Sequence, residues 1–279
     1  MLGQAESLKG EPKLISFVSG KGGVGKSVLA VNMSIVMKEK GKRILIFDAD
    51  VGFGSVEILL GLTSKKTLKD FFQKRIPLEE VITSTPYGVD LLSSGLDVED
   101  LVYFNVGDRM EFYRSFTSLL SRYDYVIIDF PPGYNENLET FYESSDYLIV
   151  VTTDEPTSMI NTYTFVKVMA VKGVDPKEIH VVMNMIKDMR QGRKKLEKLV
   201  AVIERFIGTS ITATHAIKFD NYVRKSVETQ KPFVIMRKTL QPSLAVYRIA
   251  NIITKSVGER KKMSFFDRIK AFLGIGVIS

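Results

Sequence analysis

The run Gly20-Lys21-Gly22-Gly23-Val24-Gly25-Lys26-Ser27 has the spacing G-x-x-x-x-G-K-[ST], and that spacing has a physical purpose. Glycines let consecutive backbone N–H groups turn toward phosphate oxygens at the start of a helix, where the helix dipole also favours negative charge. A lysine at the seventh place reaches the β- and γ-phosphates, and the hydroxyl that follows ligates Mg²⁺. Lys26 and Ser27 are the candidates for those two duties, with Gly20, Lys21, Gly22, Gly23, Val24 and Gly25 as the cradle. Two further acidic clusters can join them. Asp48 and Asp50 lie in Asp48-Ala49-Asp50-Val51-Gly52, and Asp129 opens Asp129-Phe130-Pro131-Pro132-Gly133. Each follows a short apolar run, so each falls beside the phosphate loop if those runs are neighbouring strands, because ligands of open α/β sheets bind at the carboxyl ends of the strands.

The elements needed to place these residues are legible as two alternating patterns. Residues 14–18, 43–47, 125–128, 147–151 and 180–183 are too continuously apolar to have a wet face and read as interior parallel strands. Residues 26–40, 108–122, 157–170, 192–207 and 240–257 carry helical periodicity. Strand–helix–strand units therefore recur, and the expected fold class is α/β, a doubly wound and mostly parallel sheet of the P-loop NTPase type, over residues 13–257. Residues 1–12 and 258–279 read as appendages to that domain.

Composition closes off other chemistries. The chain has no cysteine and two histidines, which excludes disulfide scaffolds, thiolate zinc sites, iron–sulfur ligation and a cysteine nucleophile. Lys+Arg of 39 against Asp+Glu of 32 gives a net charge of +7, which calls for an anionic partner. No signal-peptide core is evident at the N-terminus, and no apolar run reaches the roughly 18 residues of a spanning helix, so the expected location is cytoplasmic.

With Lys21 inside the phosphate loop, Lys21-Gly22-Gly23-Val24-Gly25-Lys26-Ser27 resembles the deviant Walker A signature of the MinD/ParA family of ATPases. The resemblance implies ATP and Mg²⁺ as ligands and a face-to-face homodimer in which Lys21 reaches the partner's nucleotide. A lysine donated in that way makes hydrolysis conditional on dimerisation. Asp48 through Gly61 resembles the family's switch I, which implies that Asp50 activates the attacking water and that Asp48 belongs to the Mg²⁺ shell. Asp129-Phe130-Pro131-Pro132-Gly133 resembles its Walker B and switch II segment, with Asp129 reaching the metal. Lys21, Lys26 and Asp50 are thus the implied catalytic set, and Ser27, Asp48 and Asp129 the implied metal set. Asn184 resembles the asparagine that reads the adenine edge, where a bidentate amide suits N6 and N7. The second base-contacting segment departs from the family's G-x-I-P-x-D to Ala213-Thr214-His215-Ala216-Ile217-Lys218-Phe219-Asp220, without its proline.

The ends discriminate within the family. Gly3-Gln4-Ala5-Glu6-Ser7-Leu8-Lys9 resembles the D-Q-A-x-x-L-R segment of FlhG (FleN/YlxH) proteins, with Gly3 and Lys9 in place of Asp and Arg. It implies docking on an FlhF-type GTPase, with Gln4 as the active group. Thr152-Thr153-Asp154-Glu155-Pro156-Thr157 is similar to the T-T-x-E-P-T of the same proteins, some of which regulate flagellar number and placement, with flagellar switch proteins as further partners. At the other end, Phe265, Phe266, Ile269, Phe272 and Leu273 fall on one helical face with Arg268 and Lys270 off it, the pattern of a helix lying in an anionic membrane surface. A single short helix binds weakly, so dimerisation would double the anchors and make attachment to the inner face of the cell membrane reversible. From Glu259 to Lys270 five basic residues stand against two acidic ones, and Arg190, Arg193, Lys194, Lys195 and Lys198 form a second basic face. Lipid and nucleotide phosphates therefore account for the charge excess better than nucleic acid does. A MinD-type division-site regulator and a ParA-like DNA-partition ATPase are the alternative members of the family.

Overall fold

The computed structural model describes residues 11–50, 55–97, 101, 103–255 and 265–275. Eight strands form one sheet: β1 (Lys13–Val18), β2 (Ile44–Asp48), β3 (Thr83–Ser84), β4 (Asp90–Ser93), β5 (Tyr125–Asp129), β6 (Tyr147–Thr153), β7 (Ile179–Ile186) and β8 (Ala213–Lys218). Their order is β3-β4-β2-β5-β1-β6-β7-β8, and every pairing except β3 with β4 is parallel. The doubly wound expectation holds. The five expected strands are all present, and β2, β5 and β6 are buried at every position, as a sheet covered on both faces requires.

The helices are α1 (Lys26–Glu39), α2 (Ser55–Leu60), α3 (Leu68–Lys74), α4 (Val106–Leu120), α5 (Glu139–Ser144), α6 (Pro156–Val171), α7 (Met189–Ile207), α8 (Asn221–Glu228), α9 (Phe233–Met236), α10 (Gln241–Lys255) and α11 (Phe265–Phe272). Local chemistry sets their ends. Pro156 opens α6, the Asp188 side chain accepts from Arg190 N–H and Gln191 N–H at the start of α7, and Gly208 in the left-handed conformation closes it. One core beneath the sheet joins Leu45, Phe47 and Ile128 to Phe112, Phe116, Phe165 and Leu199. The other joins Ile15, Phe17 and Ile127 to Val36, Val246 and Ile249 of α1 and α10. Three layers result, and alternate residues of each strand supply the two cores.

The parallel register decides the site. Phe17 lies opposite Asp129, and Asp48 lies opposite Asp129 on the other side. The carboxyl ends of β1, β2 and β5 are thereby brought level, and the phosphate loop leaves β1 at that edge.

Candidate functional site

The loop between β1 and α1 is shaped by glycines at two positions that no other residue fits. Gly25 adopts φ +88°, and a Cβ there would stand 2.5 Å from Asn184 Nδ2. A Cβ on Gly20 would stand 2.4 Å from the backbone oxygen of Asn161. Beyond Gly25 the helix starts at once, with Leu29 N–H donating to Gly25 O at 3.0 Å. Gly133 N–H donates to Ser19 O at 2.7 Å, which ties the segment after β5 to the end of β1.

Lys26 is buried and its ammonium pairs with Asp129 Oδ1. Asp129 is fully buried; burial pushes its carboxyl upward, against the pull of Lys26 and a hydrogen bond from the Ser27 hydroxyl. Its second oxygen, Oδ2, is buried without a hydrogen-bond partner, as are the hydroxyls of Ser19 and Thr153 at the ends of β1 and β6. Orphaned buried oxygens are costly. Here they cluster where the loop expects phosphate and metal. A carboxylate oxygen in want of a cation beside a serine hydroxyl fits the oxygen preference and low carboxylate count of Mg²⁺.

Asp48 is 3% exposed, and burial and the charge of Asp129 push its carboxyl up to about 7. Its Oδ1 accepts from Asp50 N–H at 3.2 Å and its Oδ2 from Val56 N–H at 3.3 Å, so the side chain braces both sides of the loop that follows β2. Asp50 is close enough to raise Asp129 by its charge. Residues 51–54 of this loop lie outside the described residues.

Lys21 extends from the loop to Glu155, at 2.9 Å, and this contact holds the Glu155 carboxyl below its usual range. Next to it Lys195 of α7 donates to Asp154 O at 2.9 Å. The sequence draws attention to the Asp154-Glu155-Pro156 stretch as a signature. Its pairing with Lys21 is visible only once β6 and the loop are side by side.

Asn184, on β7, is nearly buried and lies against Gly25, with its Nδ2 donating to Val24 O at 2.9 Å. That bond fixes the side chain beside the loop. One amide hydrogen serves the loop, which leaves the second hydrogen and Oδ1, an acceptor suited to an exocyclic amine. Asn184 lines a cavity of about 380 Å³ with Gly25, Val28, Met185, Phe219 and Val223. Lys218, Phe219 and Asp220 enter this cavity despite the missing proline. Met185 takes φ +59°, a strained value for a side-chain-bearing residue, and no pattern in the sequence announces it.

The tail differs from its expectation. Of the apolar face assigned to lipid, Phe265, Ile269 and Leu273 are buried against the protein, and Phe266 and Phe272 are partly buried. Helix α11 packs against α4 and α5. Phe272 meets Phe141 edge-on at 5.3 Å, Arg268 pairs with Glu143 at 2.6 Å, and Arg109 donates to Leu273 O. An apolar stripe is equally suited to a groove between helices and to lipid, and the groove between α4 and α5 receives this one. No described helix is long and apolar enough to cross a membrane. Gln4 lies outside the described residues. Arg190, Arg193, Lys194 and Lys198 are exposed on α7.

A family model described as ParA, NUBPL iron-transfer P-loop NTPase, matches residues 12–254. The chain has no cysteine with which to hold iron as a thiolate. It is similar to the antiactivator FleN of Pseudomonas aeruginosa, 28% identical over 85% of each chain. It is also similar to the flagellum site-determining protein YlxH of Helicobacter pylori, 26% identical over 95% of this chain and 92% of that one. Among solved structures, the septum site-determining protein MinD of Pyrococcus horikoshii, complexed with Mg-ADP, shares the fold with a TM-score of 0.68 and 24% identity over 90% of this chain and all of that one.

Proposed function

The chain belongs to the ParA family of P-loop NTPases, and from that membership we propose that it is a dimerising ATPase switch that sets flagellar number and placement through an FlhF-type GTPase at the membrane. The flagellar part of the reading is supported by the likeness to FleN and YlxH across most of the chain. The ATPase part is supported by the clustering of Lys26, Ser27, Asp48 and Asp129 at the carboxyl ends of β1, β2 and β5.

In this reading the phosphate-loop N–H groups and Lys26 hold the phosphates, and the base occupies the cavity beside Asn184 with its exocyclic amine on Oδ1. Ser27 and Asp129 hold Mg²⁺, with Asp48 in its outer shell. When bound, Mg²⁺ supplies positive charge against the phosphates and the two buried carboxylates. Asp50 orients the attacking water, in line with the leaving oxygen. Lys21 exchanges Glu155 of its own protomer for the phosphates of the partner's nucleotide, so the cation needed in the transition state arrives only in the dimer. The docked α11 supports a further step, in which closing of the dimer frees the tail for an anionic membrane surface.

The deciding experiment measures the GTPase rate of the cognate FlhF-type protein with the full chain and with Gln4→Ala. Stimulation lost in Gln4→Ala, with ATP turnover intact, supports the flagellar reading. Equal stimulation by both proteins, or none by either, overturns it while leaving the ATPase reading to be judged by turnover in Asp50→Ala and by ATP-dependent dimerisation of Lys21→Ala in light scattering.

A further inference from the structure

β8 is the last strand of the sheet, with α7 on one face and α10 on the other. Over it lies a second cavity of about 320 Å³, lined by Arg193 and Glu197 of α7, Thr214 and His215 of β8, and Arg248 of α10. It shares no lining residue with the cavity beside Asn184. Arginines 43, 75, 122, 224 and 268 each pair with a carboxylate. Arg193 and Arg248 form no ion pair with a carboxylate among the described residues, although Glu197 lines the same pocket. Two guanidinium groups from different helices thus line one pocket whose lining holds a single carboxylate, Glu197.

Behind them is a directional relay. His180, fully buried, lies with Nε2 3.2 Å from Glu178 Oε2 and Nδ1 3.3 Å from His215 Nε2. A carboxylate can only accept, so His180 carries its proton on Nε2 and donates to Glu178. Its Nδ1 is then a lone pair that accepts from His215 Nε2–H. Burial, His180 and Arg248 push His215 down to about 4, so its ring is neutral near pH 7. A proton added at His215 Nδ1 would leave both hydrogen bonds intact and be stabilised through His180 by the Glu178 carboxylate. What opposes it is burial and the charges of His180 and Arg248, and an anion in the pocket offsets the last of these.

We propose that this pocket binds a small phosphoryl-bearing anion, gripped by the guanidinium groups of Arg193 and Arg248 and the Thr214 hydroxyl, with His215 taking up a proton as the anion enters. Arginine's planar fork matches two oxygens of a phosphoryl group at once, which a single ammonium cannot do. A pocket of this size admits a phosphoryl group with part of the molecule that carries it.

The chain's two histidines both lie in this relay, so ¹⁵N-histidine spectra of the full chain report on the pocket even though the phosphate loop also binds phosphates. The probes are pyrophosphate and sulfate; sulfate does not itself titrate over the range measured. With either at saturation, the midpoint of His215 rises by about one pH unit or more, and Arg248→Gln abolishes the rise. Glu197→Gln, which removes a rim carboxylate, tightens pyrophosphate binding severalfold. Histidine midpoints indifferent to both anions, or a rise that persists in Arg248→Gln, would overturn the proposal. So would a short DNA duplex that shifts His215 while pyrophosphate does not, since the site would then belong to a nucleic-acid surface.

Discussion

Asp48 and Asp129 lie opposite each other on β2 and β5, both buried, and one lysine serves the pair. Lys26 gives its ammonium to Asp129, so Asp48 bears burial and a neighbouring charge without a cation of its own and is pushed up to about 7. Its folded value lies above the 3.8 of an ordinary aspartate, so between those values the folded protein binds the extra proton. Stability is therefore undiminished below about pH 4 and declines as the pH rises toward 7, by about 4 kcal/mol over roughly three pH units. Asp48→Asn removes the charge and keeps the shape. Its carbonyl serves one of the two N–H groups of Asp50 and Val56, and leaving the other unmatched costs about 1–3 kcal/mol. At pH 5 a protonated carboxyl and a carboxamide are near equivalents, so urea unfolding in EDTA should give the two proteins similar stability. At pH 8 the variant should be the more stable by about 2 kcal/mol, or roughly 4–8 °C in Tm. Mg²⁺ with ATP supplies the absent cation and should erase that advantage. Stability differences equal at pH 5 and pH 8 would show that Asp48 is ionised at both, and the argument from burial would fail.

Gly25→Ala forces a side chain to φ +88° and against Asn184 Nδ2; ATP affinity measured by calorimetry should fall at least roughly tenfold, with strain of about 1 kcal/mol contributing. Asn184→Ala removes both the bond to Val24 O and the acceptor facing the cavity. It should weaken ATP by roughly tenfold while binding of pyrophosphate at the loop changes less, a split that titration of both ligands resolves. Ile269 is 1% exposed in the groove between α4 and α5, and Ile269→Asp buries a charge there, at a cost of about 3–5 kcal/mol against docking. The helix should then be cut by protease at residues 256–275 without ATP, and a wild-type rate of cleavage would mean that the groove does not hold it.

Period and motif made the middle of the molecule legible. Continuous apolar runs identify β1, β2, β5, β6 and β7, because a strand covered on both faces needs no polar side. β8 escapes that test. It ends the sheet, Ile217 alone of its six residues is buried, and Thr214 and Lys218 are exposed, so the alternation that marks a strand is broken. β3 spans two residues, too few for any period. The phosphate loop is readable because its chemistry fixes residue types at consecutive positions, and Asp129 because it closes a continuously apolar run.

Glu155 was not readable in that way, since its meaning depends on Lys21, 134 residues earlier, and on β1 and β6 being neighbours. The same holds for the tail. Its stripe of Phe265, Ile269 and Leu273 specifies an apolar surface to cover it but not which one, and lipid and the groove between α4 and α5 meet that demand alike. What separates them is the polar edge. Arg268 off the stripe finds Glu143, and Arg109 caps the carbonyl of Leu273. These partners belong to the protein, whereas a helix built for lipid alone has no use for a particular carboxylate. A tail equipped for both surfaces divides its time according to their relative free energies, and charge reversal at Glu143, the carboxylate that pairs with Arg268, should move that balance. Glu143→Lys should raise ATP-independent flotation with anionic liposomes severalfold while ATP turnover holds, and flotation equal to wild type would mean that the ion pair contributes nothing to where the tail resides.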